Sequence, residues 1–273
     1  MPKMNILLAT IVLLVGVIFG ATPGQAQSDE ELARKLAHPI ATLILVPFEF
    51  DYNDGHGSKD GEQVLLKIKP IVPFKLNEEW TVISRTILPV VWQDDIAGAS
   101  GTQFGIGDTL QSLFFSPLQP RAIGSLGNLV WGAGPVLSLP TGTDELLGSE
   151  KWSAGPTGIV LVRNGPWNYG GLANHLWSIA GTDGRADVNA TLLESYLRFV
   201  TKSAWTYGAN LESIYDWEIE EWSVPVNFVI SKLTTIGKQK VVFLGGVRYW
   251  AESPASGPEG FGERFKISFV FPK

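Results

Sequence analysis

The sequence predicts an all-β fold: an up-and-down antiparallel transmembrane β-barrel of about twelve strands behind a short N-terminal periplasmic segment. Three observations predict it. An apolar leader heads the chain. Twelve segments rich in Val, Ile, Phe, Trp and Tyr follow it, set apart by Gly, Asp, Asn, Pro and Ser clusters. The connections between those segments alternate in length, which a soluble sandwich has no reason to do.

Lys3 precedes a predominantly apolar run from Ile6 to Phe19, and Gly24 and Ala26 supply the small residues of a cleavage site. Residues 1–26 therefore read as a secretory signal peptide, with the mature chain starting at Gln27. The run is shorter than the ~20 apolar residues that a membrane helix needs. No later segment reaches that length, so an exported chain of this kind spans a bilayer with strands or not at all. Residues 27–40 read as a periplasmic lead, helical or disordered, in which Ser28 is a candidate N-cap and Glu31 its capping-box partner.

The barrel is expected over residues 41–273. Its strands are read at 41–52, 64–76, 80–92, 103–116, 128–139 and 152–163, then at 167–180, 188–201, 205–215, 222–232, 241–252 and 264–271. Connections 54–63, 93–102, 141–151 and 253–263 are long, whereas 77–79, 164–166 and 202–204 are tight. Those at 181–187, 216–221 and 233–240 are intermediate, and 117–127 is a medium connection where a tight turn belongs. Strands of ~12 residues rise ~40 Å and, tilted near 45°, span ~28 Å, the thickness of a bilayer core.

Alternation is clearest in the last strand, where Phe265, Ile267, Phe269 and Phe271 oppose Arg264, Lys266 and Ser268. Val64, Leu66, Ile68, Val72 and Phe74 likewise oppose Lys67, Lys69 and Lys75. It is poor in 103–116 and 152–163, where bulges or glycine kinks are expected. Trp80, Trp92, Trp152, Trp167, Trp205, Trp222 and Trp250 fall near strand ends, the place of two aromatic girdles.

Composition removes several classes of function. The 273 residues carry a net charge of -6 and no cysteine. Thiolate zinc sites, cysteine nucleophiles and disulfides are excluded, and no Lys/Arg cluster exists to neutralise a row of phosphates, so no nucleic-acid partner is expected. The three histidines, His38, His56 and His175, show no metal-ligand spacing, and neither metal nor cofactor is expected. Acidic stretches such as Asp94-Asp95, Asp144-Glu145 and Glu218 to Glu221 lack the calcium-loop pattern and read as solvated loops.

Charges inside strands are more informative. Alternation sends Glu49, Asp51, Lys67, Lys69, Arg85, Glu194, Arg198, Glu212, Arg248, Arg264 and Lys266 to the face opposite the apolar one, with Lys75 at the rim. An Arg or Lys on the lipid face costs about 2–4 kcal/mol at the midplane, so these residues are expected to line the lumen. Closure then brings the acidic first strand between Lys67 and Lys69 on one side and Arg264 and Lys266 on the other.

Several segments together carry a resemblance: Gly105-Ile-Gly-Asp-Thr109, Phe114-Phe-Ser-Pro117, Leu139-Pro-Thr-Gly-Thr143, Leu147-Gly-Ser149, Lys151-Trp152-Ser153, Gly155-Pro156 and Asn174-His-Leu-Trp-Ser178. The chain from Val64 onward resembles the outer-membrane transporter family labelled "MetA-pathway of phenol degradation". That resemblance implies an outer-membrane barrel passing small hydrophobic or aromatic compounds. The ending Phe271-Pro272-Lys273 departs from the terminal aromatic residue common in such barrels.

The expectation is thus a passive outer-membrane channel for small solutes, not an enzyme. Its partners are outer-membrane lipid and a small-molecule solute, and the oligomeric state is left open. Two rivals stand beside it. A lipase-like barrel enzyme requires Ser178, His175 and Asn174 to meet on one surface, although strand alternation separates these neighbours. A secreted soluble β-sandwich binding protein requires a sheet that does not close.

Overall fold

The computed structural model describes residues 29–36 and 43–271, in which twelve long antiparallel strands form one closed sheet. The first strand is Ile44–His56, the second runs as Gly61–Ile68 and Ile71–Lys75, and the third is Trp80–Asp94. The fourth runs as Thr102–Ile106 and Thr109–Pro117, followed by Asn128–Leu139, Lys151–Asn164 and Trp167–Gly181 as fifth to seventh. Asn189–Val200, Trp205–Asp216, Glu221–Ile236, Gln239–Glu252 and Phe261–Phe271 complete the twelve. Each strand pairs with its sequence neighbours, and the first also pairs with the last, from Ile44 opposite Phe271 to Tyr52 opposite Glu263. Closure removes the open edges that a sandwich keeps, which rules out the β-sandwich rival.

The strands reach further than the sequence suggests at the rim away from the chain ends. Residues 54–63 are mostly strand around a one-turn 3-10 helix, Gly57–Lys59, because Gly55 and Gly57 take the left-handed conformation that lets the first strand turn tightly into the second. Residues 233–240 are strand too, at the opposite rim beside the chain ends, where they close on the two-residue turn Gly237-Lys238. Long connections at 95–101, 140–150, 182–188 and 253–260 remain on the upper rim, away from the chain ends.

Alternation breaks down for identifiable reasons. In the fourth strand the register against the third shifts by one residue, from Val90 opposite Ile106 to Ile87 opposite Leu110. This is a bulge at Gly107-Asp108, and it swaps the two faces, so that Gln103 and then Ser112 point inward. The sixth strand keeps its register against the fifth, but its outer face carries Ala154, Pro156 and Gly158, too small to read as an apolar stripe. Pro70, which has no N–H, interrupts the second strand while its carbonyl still accepts from Thr86 N at 3.1 Å.

Large aromatics form two belts on the outer face. Near the lower rim, which holds both described ends of the barrel, Trp80 meets Trp131 edge-on at 5.9 Å and Trp167 meets Phe199 at 4.9 Å. Near the upper rim Tyr215 packs on Trp217 at 4.8 Å and on Trp222 at 4.9 Å, with Trp152 and Trp177 exposed beside them. Trp250 belongs to neither belt. It lies on the inner face, with the Arg248 guanidinium 5.4 Å from its ring centre, because the eleventh strand turns Val247, Tyr249 and Ala251 outward.

Residues 1–26, expected to be a signal peptide, and His38 lie outside the described residues. Within the lead, Asp29–Leu36 is a helix, α1, with acidic residues in its first turn and Arg34 and Lys35 in its last, as its macrodipole favours. Its Leu32 and Ala33 are buried inside the lower end of the barrel. There they join an apolar cluster that includes Leu45, Ile71, Ile83, Leu172, Leu233 and Val270. Lys240 forms an ion pair with Asp29 at the helix start.

Candidate functional site

The first strand buries every second residue, so Glu49 and Asp51 point into the lumen and are 3 % and 1 % exposed. Register sets their neighbours: Glu49 faces Lys266 and Lys67, and Asp51 faces Arg264. Arg264 forks onto Asp51, with Nε 2.6 Å from Oδ1 and Nη2 3.0 Å from Oδ2. The same guanidinium reaches Glu212 of the ninth strand at 2.6 and 2.9 Å. Arg248 ties these groups to the neighbouring amides, donating to Asp51 at 3.3 Å, Glu212 at 3.0 Å, Asn53 at 3.2 Å and Asn227 at 2.9 Å. Lys67 lies 2.7 Å from Asp51, Lys69 is paired with Glu49, and Lys266 stands 3.8 Å from Glu49. Three carboxylates are thus held by five cations.

The remaining lumen charges stand apart from this network. Arg85, Glu194 and Arg198 face inward but take part in no ion pair among the described residues; Arg198 lies 5.7 Å from the Tyr196 ring centre instead. All eleven charged residues expected in the lumen are on the inner face. Seven are basic (Lys67, Lys69, Arg85, Arg198, Arg248, Arg264 and Lys266) and four acidic (Glu49, Asp51, Glu194 and Glu212), a surplus of three positive charges. Beneath the network, above α1, lies a cavity of about 120 Å³.

Sequence reasoning passed over the uncharged half of this lining. Asn53, Gln63, Gln93 and Gln103 form a ladder of side-chain amides on four successive strands, bonded at 3.4, 3.2 and 3.3 Å. Arg163 also belongs to the inner face, on the side of the buried Thr157, Ile159 and Leu161. The signal for each was position opposite an apolar neighbour, without a charge, or with an unclear stripe, to draw notice.

The motif segments Gly105 to Thr109, Leu139 to Thr143 and Leu147 to Ser149 come together at the upper mouth. Asp108, freed by the bulge, accepts from Gly142 N at 3.1 Å, Ser149 N at 2.7 Å and Ser149 Oγ at 2.6 Å. Gly105 leaves room for Thr143, whose Oγ1 a Cβ there would overlap. The loop so anchored turns toward the lumen, where Gln93 donates to the Leu146 carbonyl at 3.1 Å. These residues hold a loop over the mouth and do no visible chemistry.

The residues of a lipase-like site do not meet. Asn174 is buried on the inner face, and His175 is on the outer, where its Nδ1 lies 2.7 Å from Thr191 Oγ1 and its ring packs 3.9 Å from that of Trp177. Ser178 Oγ instead donates to Asp187 at 3.1 Å. Hydrogen bonds from Lys151 and Ser178 hold that carboxyl below its usual pKa. His56 is buried at the upper end of the first strand. Among the described residues no three His, Asp or Glu side chains form a metal site.

No family model matches the chain, and no curated protein matches it. Solved structures do. The COG4313 outer membrane channel from Pseudomonas putida F1 superposes with a TM-score of 0.66 at 15% identity, over 92% of this chain and 100% of that one. Outer membrane phospholipase A from Escherichia coli gives 0.49 at 11%, over 85% and 99%, and the NanC porin 0.48 at 10%, over 84% and 99%. At these identities the likeness fixes the fold: this chain is a twelve-stranded barrel of the outer-membrane type.

Proposed function

We propose that the chain is an outer-membrane channel through which small solutes diffuse, resident there after loss of residues 1–26. The observation that carries this reading is a closed barrel, apolar and aromatic outside, around a charged cavity. A sheet of that kind satisfies its backbone in lipid and gives its charges a cheap location only within. The likeness to an outer membrane channel supports it. So does the separation of Asn174, His175 and Ser178, which removes the one hydrolytic constellation the sequence offered. The basic surplus on the wall sets a preference for anions over cations.

Small hydrophobic or aromatic solutes, which the family resemblance implies, form a narrower reading. Leu45, Ile71, Leu233 and Leu244 lining the lower cavity favour it.

Proteoliposomes containing the refolded full chain should swell in isotonic solutions of small neutral or anionic solutes faster than empty vesicles. They should not swell in a large oligosaccharide. Equal swelling with and without protein, or recovery of the protein from cells in a carbonate-soluble periplasmic fraction, contradicts the reading.

A further inference from the structure

We propose that the lumen cavity is a saturable binding site for small organic carboxylates bearing an apolar body, and that Arg85 is the residue that recognises the carboxylate. The inference deepens the channel reading and rests on it for the route by which the ligand arrives. Arg85 is 8 % exposed, yet among the described residues no carboxylate, carbonyl or ring partners it. Loss of hydration without a partner costs an ion several kcal/mol, and the Arg85 nitrogens, none of them shut off from solvent, can find a partner only in the cavity they open onto. The barrel nonetheless places this guanidinium in its wall, where it lines the cavity.

Its surroundings specify the ligand. Ile71 and Ser112 flank Arg85 in register on the two adjacent strands, and Ile83 is its neighbour along its own inner face. Ile71 and Ile83 belong to the apolar cluster, so the guanidinium rises from an apolar floor. Its planar fork matches a carboxylate bidentately, whereas a neutral solute leaves it unpaired. Lys69, Arg264 and Lys266 also line the cavity but are engaged with Glu49. Arg198, beside the Tyr196 ring and in no ion pair among the described residues, adds a second cation. Of the carboxylates facing the space, Glu49 and Glu212 are neutralised by the network. Glu194 also faces the space, but among the described residues it forms no ion pair with either arginine. A cavity of about 120 Å³ is of the order that holds one benzene-sized ring, so a benzoate-sized molecule can place its ring on the floor.

Equilibrium binding to the full chain folded in detergent tests this with benzoate, its neutral counterpart benzyl alcohol, and acetate. Benzoate should bind saturably at one site per chain, benzyl alcohol about tenfold more weakly or worse, and acetate more weakly than benzoate. Arg85→Gln should lower benzoate affinity by about tenfold or more, and Arg85→Lys should restore part of it. Because Arg85 has no ion-pair or hydrogen-bond partner among the described residues, Arg85→Gln should unfold at the same temperature as the parent or higher on a heat-shift gel. Non-saturable binding, equal affinity for benzyl alcohol, benzoate affinity unchanged in Arg85→Gln, or a lowered unfolding temperature for that variant overturns the proposal. The assay needs no ion flow: a chain that conducts but does not bind benzoate defeats this inference alone, and one that binds but does not conduct defeats the channel reading.

Discussion

A chain lacking Asp29–Leu36 should conduct several-fold more current per channel in planar bilayers than the full chain. The helix formed by these residues buries Leu32 and Ala33 in the apolar cluster that fills the lower end of the barrel, so it stands in the path of any solute leaving the cavity. What holds it there is modest. An isolated helix of eight residues is marginal in water, and its two i,i+4 ion pairs, Glu30 with Arg34 and Glu31 with Lys35, add only a few tenths of a kcal/mol each. Burial of Leu32 contributes about 1.5–3 kcal/mol, and the half-exposed Asp29–Lys240 pair about 0–1 kcal/mol. A single substitution should therefore suffice. Leu32→Asp brings an unpaired charge into the cluster, and its traces should show long open intervals at the conductance of the deleted chain. Conductance unchanged in both variants would mean that the helix does not obstruct the passage.

Asp51→Ala should cost about 3–5 kcal/mol of barrel stability, the effect of leaving buried charges uncompensated. Asp51 is 1 % exposed and receives Arg264, Arg248 and Lys67 together. It also sits where closure has no turn to set the register, opposite Arg264 across the first and last strands. Arg264→Ala should cost a similar amount, since Glu212 is then left with Arg248 alone. The double variant should be less destabilised than the sum of the two by about 0.5–3 kcal/mol, because each single change strands the other's charge. Denaturant unfolding in detergent, followed by the shift in gel mobility, measures all three. Strict additivity would show that the pair does not act as one unit.

Much of this architecture is legible in the residues. A two-residue period with apolar residues on one side and charge on the other determines both strand identity and face, so the seam between Glu49, Asp51, Lys67, Arg264 and Lys266 follows from alternation and closure alone. Three features were hidden for physical reasons. The bulge at Gly107-Asp108 inverts the faces midway along a strand, and periodicity averages such an inversion away. The extension of strands through residues 54–63 and 233–240 depends on glycines at positive φ, Gly55, Gly57 and Gly237, whose composition looks like that of a loop. Trp250 fits the position of a girdle residue and differs from one only by parity, facing inward over Arg248. The place of α1 was not legible at all, because its polar sequence matches a solvated helix and only Leu32, Ala33 and Leu36 reveal a packed face.

The reversal potential of the open channel tests the central claim most directly. In a KCl gradient across a planar bilayer, at ionic strength low enough that screening does not mask the wall, the basic surplus of the lumen should give a potential of the sign set by chloride permeating faster than potassium. Arg85→Gln and Arg198→Gln together should move it toward zero. A potential of the opposite sign, or a correctly folded protein that passes no current even without its helix, would contradict the account.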